Sequence, residues 1–195
     1  MSALSRTAQL LSPADYLIRE RDAAHRSEYL NGDVVAMAGT TFAHDIISGN
    51  IQRHLGNQLA ERPCYVFSSD MKVRIQRANL FRYPDVSAVC GPVLFHDDVQ
   101  DAYENPSLII EVLSPSTERY DRTEKFALYR FLDSLTEYLL VAQDRCHAEL
   151  FRRQREGQWT EQSYSEPNDL IILESVGCTV RLGKLYEKVP RPESG

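Results

Sequence analysis

Glu111 stands in the middle of an apolar run, Leu108 to Leu113, too short for a helix and rich in β-favouring residues. A carboxylate inside a buried strand costs on the order of several kcal/mol unless a cation or hydrogen bonds satisfy it. In the helix predicted to follow, over 122–133, Lys125, Leu128, Tyr129 and Leu132 fall on one face by the i, i+3, i+4, i+7 rule. A lysine on the stripe that packs against a sheet either snorkels to the rim or meets a negative partner. Asp85 is a second acid among apolar neighbours, Val86, Ala88 and Val89, and Glu28 is a weaker third. Two carboxylates on adjacent strands with a lysine beside them have a chemical use. Hard oxygen ligands bind Mg²⁺ or Mn²⁺. The metal lowers the pKa of a bound water and neutralises charge on a phosphoryl oxygen, while the lysine orients the water or stabilises the developing charge. That chemistry is metal-assisted phosphodiester hydrolysis.

The elements that must position these groups follow from pattern. Residues 1–11 read as a flexible leader and 12–195 as one domain. Ser12-Pro13 starts a helix running to about Ala24. Asn31-Gly32 turns a β-hairpin between Glu28 and Met37. Thr40 or Thr41 caps a second helix through Leu59, with Ile47, Ile51, Leu55 and Leu59 as its apolar row and His44 near its first turn. Cys64 to Phe67, Met71 to Ile75 and Arg82 to Val89 read as strands, Pro84 marking an edge, a start or a bulge. Gly91 to Glu104 reads as a solvated acidic loop. Strand 107–113 has apolar residues on both faces, so it is central and covered on both sides. Asp121 reads as the cap of the next helix. Glu137 to Ala142 follows, and strand–helix–strand order implies a parallel pair in an α/β arrangement. The tail alternates between short strands and a last helical turn at 184–188.

Composition narrows the class. A chain of 195 residues with 43% hydrophobic and 26% charged content is long enough for a sizeable core. Its net charge of −6 argues against bulk electrostatic binding of nucleic acid, yet suits a site that gathers divalent cations. Cys64, Cys90, Cys146 and Cys178 form no C-x-x-C pair and are expected to be reduced core residues. No apolar run approaches the ~20 residues of a membrane span, and the expectation is a cytoplasmic protein without membrane contact.

Four stretches together carry a resemblance: Tyr83-Pro84-Asp85-Val86, Ile110-Glu111-Val112-Leu113-Ser114-Pro115-Ser116-Thr117, Asp121-x-x-x-Lys125-x-x-x-Tyr129, and Glu137-Tyr138. They resemble the Uma-type endonuclease family of the PD-(D/E)XK, or restriction-endonuclease-like, superfamily. The likeness runs over most of the chain. It implies an α+β fold with a central mixed β-sheet flanked by helices, behind an N-terminal helix and β-hairpin. It implies Asp85 and Glu111 as ligands of Mg²⁺ or Mn²⁺, Glu28 as an additional acid, and nucleic acid, above all DNA, as substrate. The superfamily keeps a lysine two positions after the second acid, where this chain has Leu113, and the resemblance implies Lys125 as its displaced replacement.

His44, Ser114 and Tyr129 are candidate substrate-positioning groups. Their plainer readings are a structural histidine, turn chemistry and packing. A homodimer or higher homo-oligomer is expected from an edge-rich sheet and a reaction needing two strand cuts. Two other functions are compatible with the residues. One is a catalytically inactive protein on the same fold that binds nucleic acid or a partner. The other is a carboxylate-pair glycosidase, which needs sugar-stacking aromatics near the acids, whereas Trp159 lies in the tail.

Overall fold

Strand β8 (Leu108–Leu113) is buried at every position because its sheet is covered on both faces. In the computed structural model, which describes residues 10–37 and 39–190, β8 lies inside a six-stranded sheet. The order is β11 (Trp159–Tyr164), β10 (Ala148–Arg153), β9 (Glu137–Ala142), β8, β6 (Val86–Cys90) and β3 (Cys64–Ser68). Only β8 and β9 run parallel, so the sheet is mixed. Side chains alternate along β8 as a pleated strand requires. Leu108, Ile110 and Val112 share a core with Ile47, Ile51 and Leu55 of α2 (Phe42–Leu59). Ile109 and Leu113 share another with Tyr129, Leu132 and Tyr138.

A second sheet closes that second core. Its order is β2 (Asp33–Ala36), β1 (Ser27–Leu30), β5 (Leu80–Arg82), β4 (Lys72–Ile75) and β7 (Ala102–Tyr103). The β1–β2 hairpin turns at Asn31 (φ 50°) and Gly32 (φ 105°), the positive values that this residue pair tolerates. Helix α1 (Pro13–Arg21) is capped by Ser12, whose hydroxyl accepts from the Asp15 amide at 3.1 Å. It buries Tyr16 and Leu17 against Tyr29 and Phe81. The predicted leader lies outside the described residues except for Leu10 and Leu11; the Leu11 amide donates to the Gly32 carbonyl at 3.1 Å. The hairpin β12 (Leu170–Leu173) with β13 (Cys178–Arg181), and the turn α5 (Leu182–Leu185), join the α2 side. Among the described residues no helix is long and apolar enough to cross a membrane.

Four local expectations change. The single strand over 82–89 is two strands in different sheets, β5 and β6. Pro84 cannot donate to a ladder, and Tyr83-Pro84-Asp85 is the crossover between them. The helix after β8 begins earlier, at α3 (Glu118–Tyr120), passes through a π turn (Asp121–Lys125) and ends in α4 (Phe126–Tyr129). Asp121 is therefore a buried interior residue with helical angles (φ −62°, ψ −37°) rather than a cap. Thr117 precedes α3 without a side-chain cap bond, and in the turn before it the Ser114 hydroxyl accepts from the Thr117 amide at 3.2 Å. The 91–104 segment is not simply solvated. It contains β7, and Asp101 pairs with Arg21 at 2.9 Å and Lys72 at 3.0 Å. Finally, Cys64 and Cys90 form a disulfide rather than staying reduced. They are cross-strand partners of β3 and β6, and the Gly91-to-Pro63 backbone bond beside them makes theirs the closely spaced, non-hydrogen-bonded pair, with Cα atoms 4.0 Å apart. Cys146 and Cys178 stay outside the disulfide, Cys178 buried as expected.

Candidate active site

Register brings the two principal acids together. In β6 and β8, Ala88 faces Leu108, Ser87 faces Ile109 and Val86 faces Ile110. One further step sets Asp85 opposite Glu111, and directly opposed residues present their side chains to the same face. The Asp85 amide donates to Glu111 Oε2 at 3.4 Å, and the Val112 amide donates to Asp85 Oδ2 at 2.7 Å.

Lys125 reaches this pair from the covering helix. Its Nζ lies 2.9 Å from Glu111 Oε1 and 3.2 Å from Asp121 Oδ1. It points inward, with Tyr129 one turn on, as its helix face requires. The Tyr129 hydroxyl donates to Glu111 Oε1 at 2.9 Å, so Tyr129 orients the acid. Leu113, on the same strand face, is core. On the other side of Asp85, His44 Nε2 lies 3.1 Å from Oδ2, and His44 Nδ1 lies 2.9 Å from Thr40 Oγ1. Thr41 caps α2 by accepting from the His44 amide at 3.3 Å, and donates to Gln143 Oε1 at 2.7 Å. Gln143 follows β9 directly, so this bond ties the start of α2 to the sheet edge that carries the acids.

Glu28 and Ser114 are placed differently. Glu28 is ion-paired with Arg82, whose other amino group donates to the Tyr120 hydroxyl. The Ser114 hydroxyl is engaged by Ser116 at 3.0 Å and Thr117 at 2.9 Å, which is turn chemistry. Sequence reasoning missed three members of the cluster. Asp121 shares Lys125 with Glu111, and its signal was present in the four-residue Asp121–Lys125 spacing, which pairs side chains on a helix. Arg82 and Tyr120 had no local signal, since their meeting depends on how the second sheet packs. The surface cleft lined by Ser12, Leu17, His96 and Asp97 contains none of these residues.

Charge is balanced within the cluster. Burial, opposed by the Lys125 ammonium and assisted by the Asp85 charge, pushes the Glu111 carboxyl up to about 8. Burial also works against ionised Asp85, but the His44 hydrogen bond and charge, with Lys125, hold that carboxyl below the usual range. Lys125 is buried, yet Glu111 and Asp121 keep its ammonium above the ordinary lysine value. His44 is raised because Asp85 outweighs its burial.

Among the described residues no set of three or more His, Cys, Asp or Glu side chains is arranged to hold a metal ion. Two carboxylates do lie together. Asp85 Oδ1 takes no hydrogen bond from the described residues, and Glu111 Oε2 takes only the long one from the Asp85 amide. That donor set fits Mg²⁺, which commonly takes one or two protein carboxylates and completes its shell with water and phosphate oxygens.

Comparison with known proteins agrees with the architecture. The family model described as "Uma2: Putative restriction endonuclease" matches residues 13–182. The uncharacterized protein sll1609 of Synechocystis sp. (strain ATCC 27184 / PCC 6803 / Kazusa) is 36% identical over 153 residues, 78% of this chain and 86% of that protein. A second uncharacterized protein of the same organism, slr1290, is 34% identical over 176 residues, 90% of this chain and 91% of that protein. A crystal structure titled as "a putative nuclease belonging to DUF820", from Anabaena variabilis ATCC 29413, has the same fold with a TM-score of 0.73. It covers 91% of this chain and 98% of that one at 16% identity.

Proposed function

The chain belongs to the Uma2 family, and we propose that it hydrolyses phosphodiester bonds of nucleic acid, DNA above all, as an endonuclease dependent on Mg²⁺ or Mn²⁺. The observation that carries this reading is Lys125 Nζ at 2.9 Å from Glu111 Oε1, in a chain whose Leu113 stands where the superfamily keeps its lysine. Asp85 and Glu111 would hold the metal. When bound, the metal supplies Lewis acidity at the phosphoryl oxygen and a more acidic water.

The remaining work falls to the chain itself. Lys125 stays protonated and offers its ammonium to the charge that develops on the phosphate. Tyr129 and the Asp85 amide hold the two Glu111 oxygens in place. His44 and the Val112 amide hold Asp85. A second copy of the chain would let both strands of a duplex be cut. The test is cleavage of plasmid, linear duplex and single-stranded DNA, and of RNA, across Mg²⁺ and Mn²⁺ titrations. No cleavage of any substrate would remove the proposal, and cleavage that survives Asp85→Ala would place the chemistry elsewhere.

One observation favours a non-catalytic protein on the same fold that binds nucleic acid or a partner. Each acid already has a cation: Lys125 at Glu111, His44 at Asp85, Arg82 at Glu28. A Mg²⁺ binding isotherm abolished by Glu111→Gln would count against that reading.

A further inference from the structure

The helix that delivers Lys125 is irregular at the residues that matter. Between Glu118 and Tyr129, five residues, Asp121 to Lys125, form a π turn. A π turn accommodates one residue more than an α turn, is rare, and occurs frequently at functional sites. Here both ends of the turn carry charged groups, and Lys125 joins them to β8: its Nζ lies 2.9 Å from Glu111 Oε1 and 3.2 Å from Asp121 Oδ1.

The turn has a support from outside the helix. The Phe126 amide donates to the Thr123 carbonyl, and the Asp121 carbonyl accepts from the Tyr138 hydroxyl at 3.1 Å, in a buried bond. Tyr138 belongs to β9 and pairs with Ile109 of β8. Its ring is stacked on Phe126 with centroids 4.8 Å apart and planes 5° apart, and it lies 5.7 Å from the Tyr129 ring. One β9 side chain thus touches the π turn at its first residue, the residue just after the turn, and the tyrosine that holds Glu111. A wholly buried phenol needs a hydrogen-bond partner. A phenylalanine would fill the same volume, so packing alone does not call for the hydroxyl.

We propose that Tyr138 is a positioning residue whose hydroxyl holds the π turn that aims Lys125 at Glu111. Without that bond the turn is free to relax to ordinary α geometry. One residue fewer per turn rotates everything on its C-terminal side relative to the sheet, and Lys125 leaves the acids. The functional part of this inference rests on the endonuclease reading above; the structural part does not.

The experiment is therefore double. In the full chain, Tyr138→Phe is compared with the parent by the rate at which each lysine is acylated by an amine-reactive reagent, read by mass spectrometry, with buried Lys72 as the internal control. The expected result is a rise of about tenfold or more at Lys125 and no change at Lys72. On a DNA substrate, kcat falls about tenfold or more while KM is unchanged. Unaltered protection of Lys125 overturns the inference, as does a Tyr138→Phe chain that does not fold, since the hydroxyl would then be a general structural need. Asp121→Asn keeps the carbonyl that Tyr138 holds, so Lys125 should stay protected in it. Exposure of Lys125 in Asp121→Asn but not in Tyr138→Phe would assign the aim to the carboxylate and refute the brace. If no substrate is cut by either protein, the endonuclease reading fails while the labelling still decides the role of Tyr138.

Discussion

Replacing Glu111 with glutamine should stabilise the metal-free protein at neutral pH while abolishing its response to Mg²⁺. Glu111 is only 2% exposed, and burial raises its carboxyl to about 8, against roughly 4.3 in an unfolded chain. The sign follows from linkage. A carboxyl whose folded pKa is raised contributes stability that is fully present below the unfolded value and is lost as pH rises through the folded one. At about 1.4 kcal/mol per pH unit, the loss at pH 7 is about 4 kcal/mol. For a chain of this size that corresponds to roughly 8–16 °C in Tm. Glutamine does not ionise and keeps an acceptor for Tyr129 and Lys125. Urea unfolding in the presence of a chelator, from pH 4 to 9, should show the two proteins nearly equal at the acid end. The variant should then gain until about pH 8, where the gap levels off. Added Mg²⁺ should stabilise the parent alone. If Glu111→Gln is instead less stable than the parent at pH 7, or the gap does not change with pH, Glu111 is ionised in the apo protein and its pair with Lys125 is a net stabiliser.

Lys125→Met should lower kcat by about 10²–10³, the range found on losing one group that stabilises transition-state charge, while Mg²⁺ binding measured by calorimetry persists. Reduction of Cys64–Cys90, or Cys64→Ser, should cost roughly 3 kcal/mol by the loop-closure estimate for a sequence separation of 26; denaturant midpoints with and without reductant would show it. Glu137 is buried and accepts from Arg152 at 2.9 Å and from the Glu174 and Ser175 amides at 3.1 and 2.9 Å. Its replacement by alanine leaves these donors unpaired and should cost about 3–5 kcal/mol, with hydrogen exchange rising first across residues 174–181.

Several parts of this site were legible one segment at a time. The run from Leu108 to Leu113 can only be a covered strand, so a charge at Glu111 demanded a partner. The spacing of Lys125, Leu128, Tyr129 and Leu132 placed the lysine on the apolar face of its helix. The hairpin at Asn31-Gly32 and a helix cap at Thr40 or Thr41 follow from backbone preferences of single residues; the fold selects Thr41. Each rests on periodicity or dihedral preference, which short-range chemistry settles. Other features needed the chain to be folded. Asp85 faces Glu111 only because β6 pairs with β8 in one register. A slip of one residue would send it to the opposite face. His44 meets Asp85 only because Thr41 and Gln143 dock α2 on that sheet edge. Glu28 takes Arg82 because β1 pairs with β5 in the second sheet, and Cys64 meets Cys90 because β3 lies beside β6. The π turn is of the same kind: residues 121–125 are compatible with a plain α-helix, and Tyr138, from another strand, holds the irregular form. Residue types and local spacing determined which groups could do chemistry. Strand register and the packing of one layer on another decided which of them meet, because those contacts depend on partners distant along the chain.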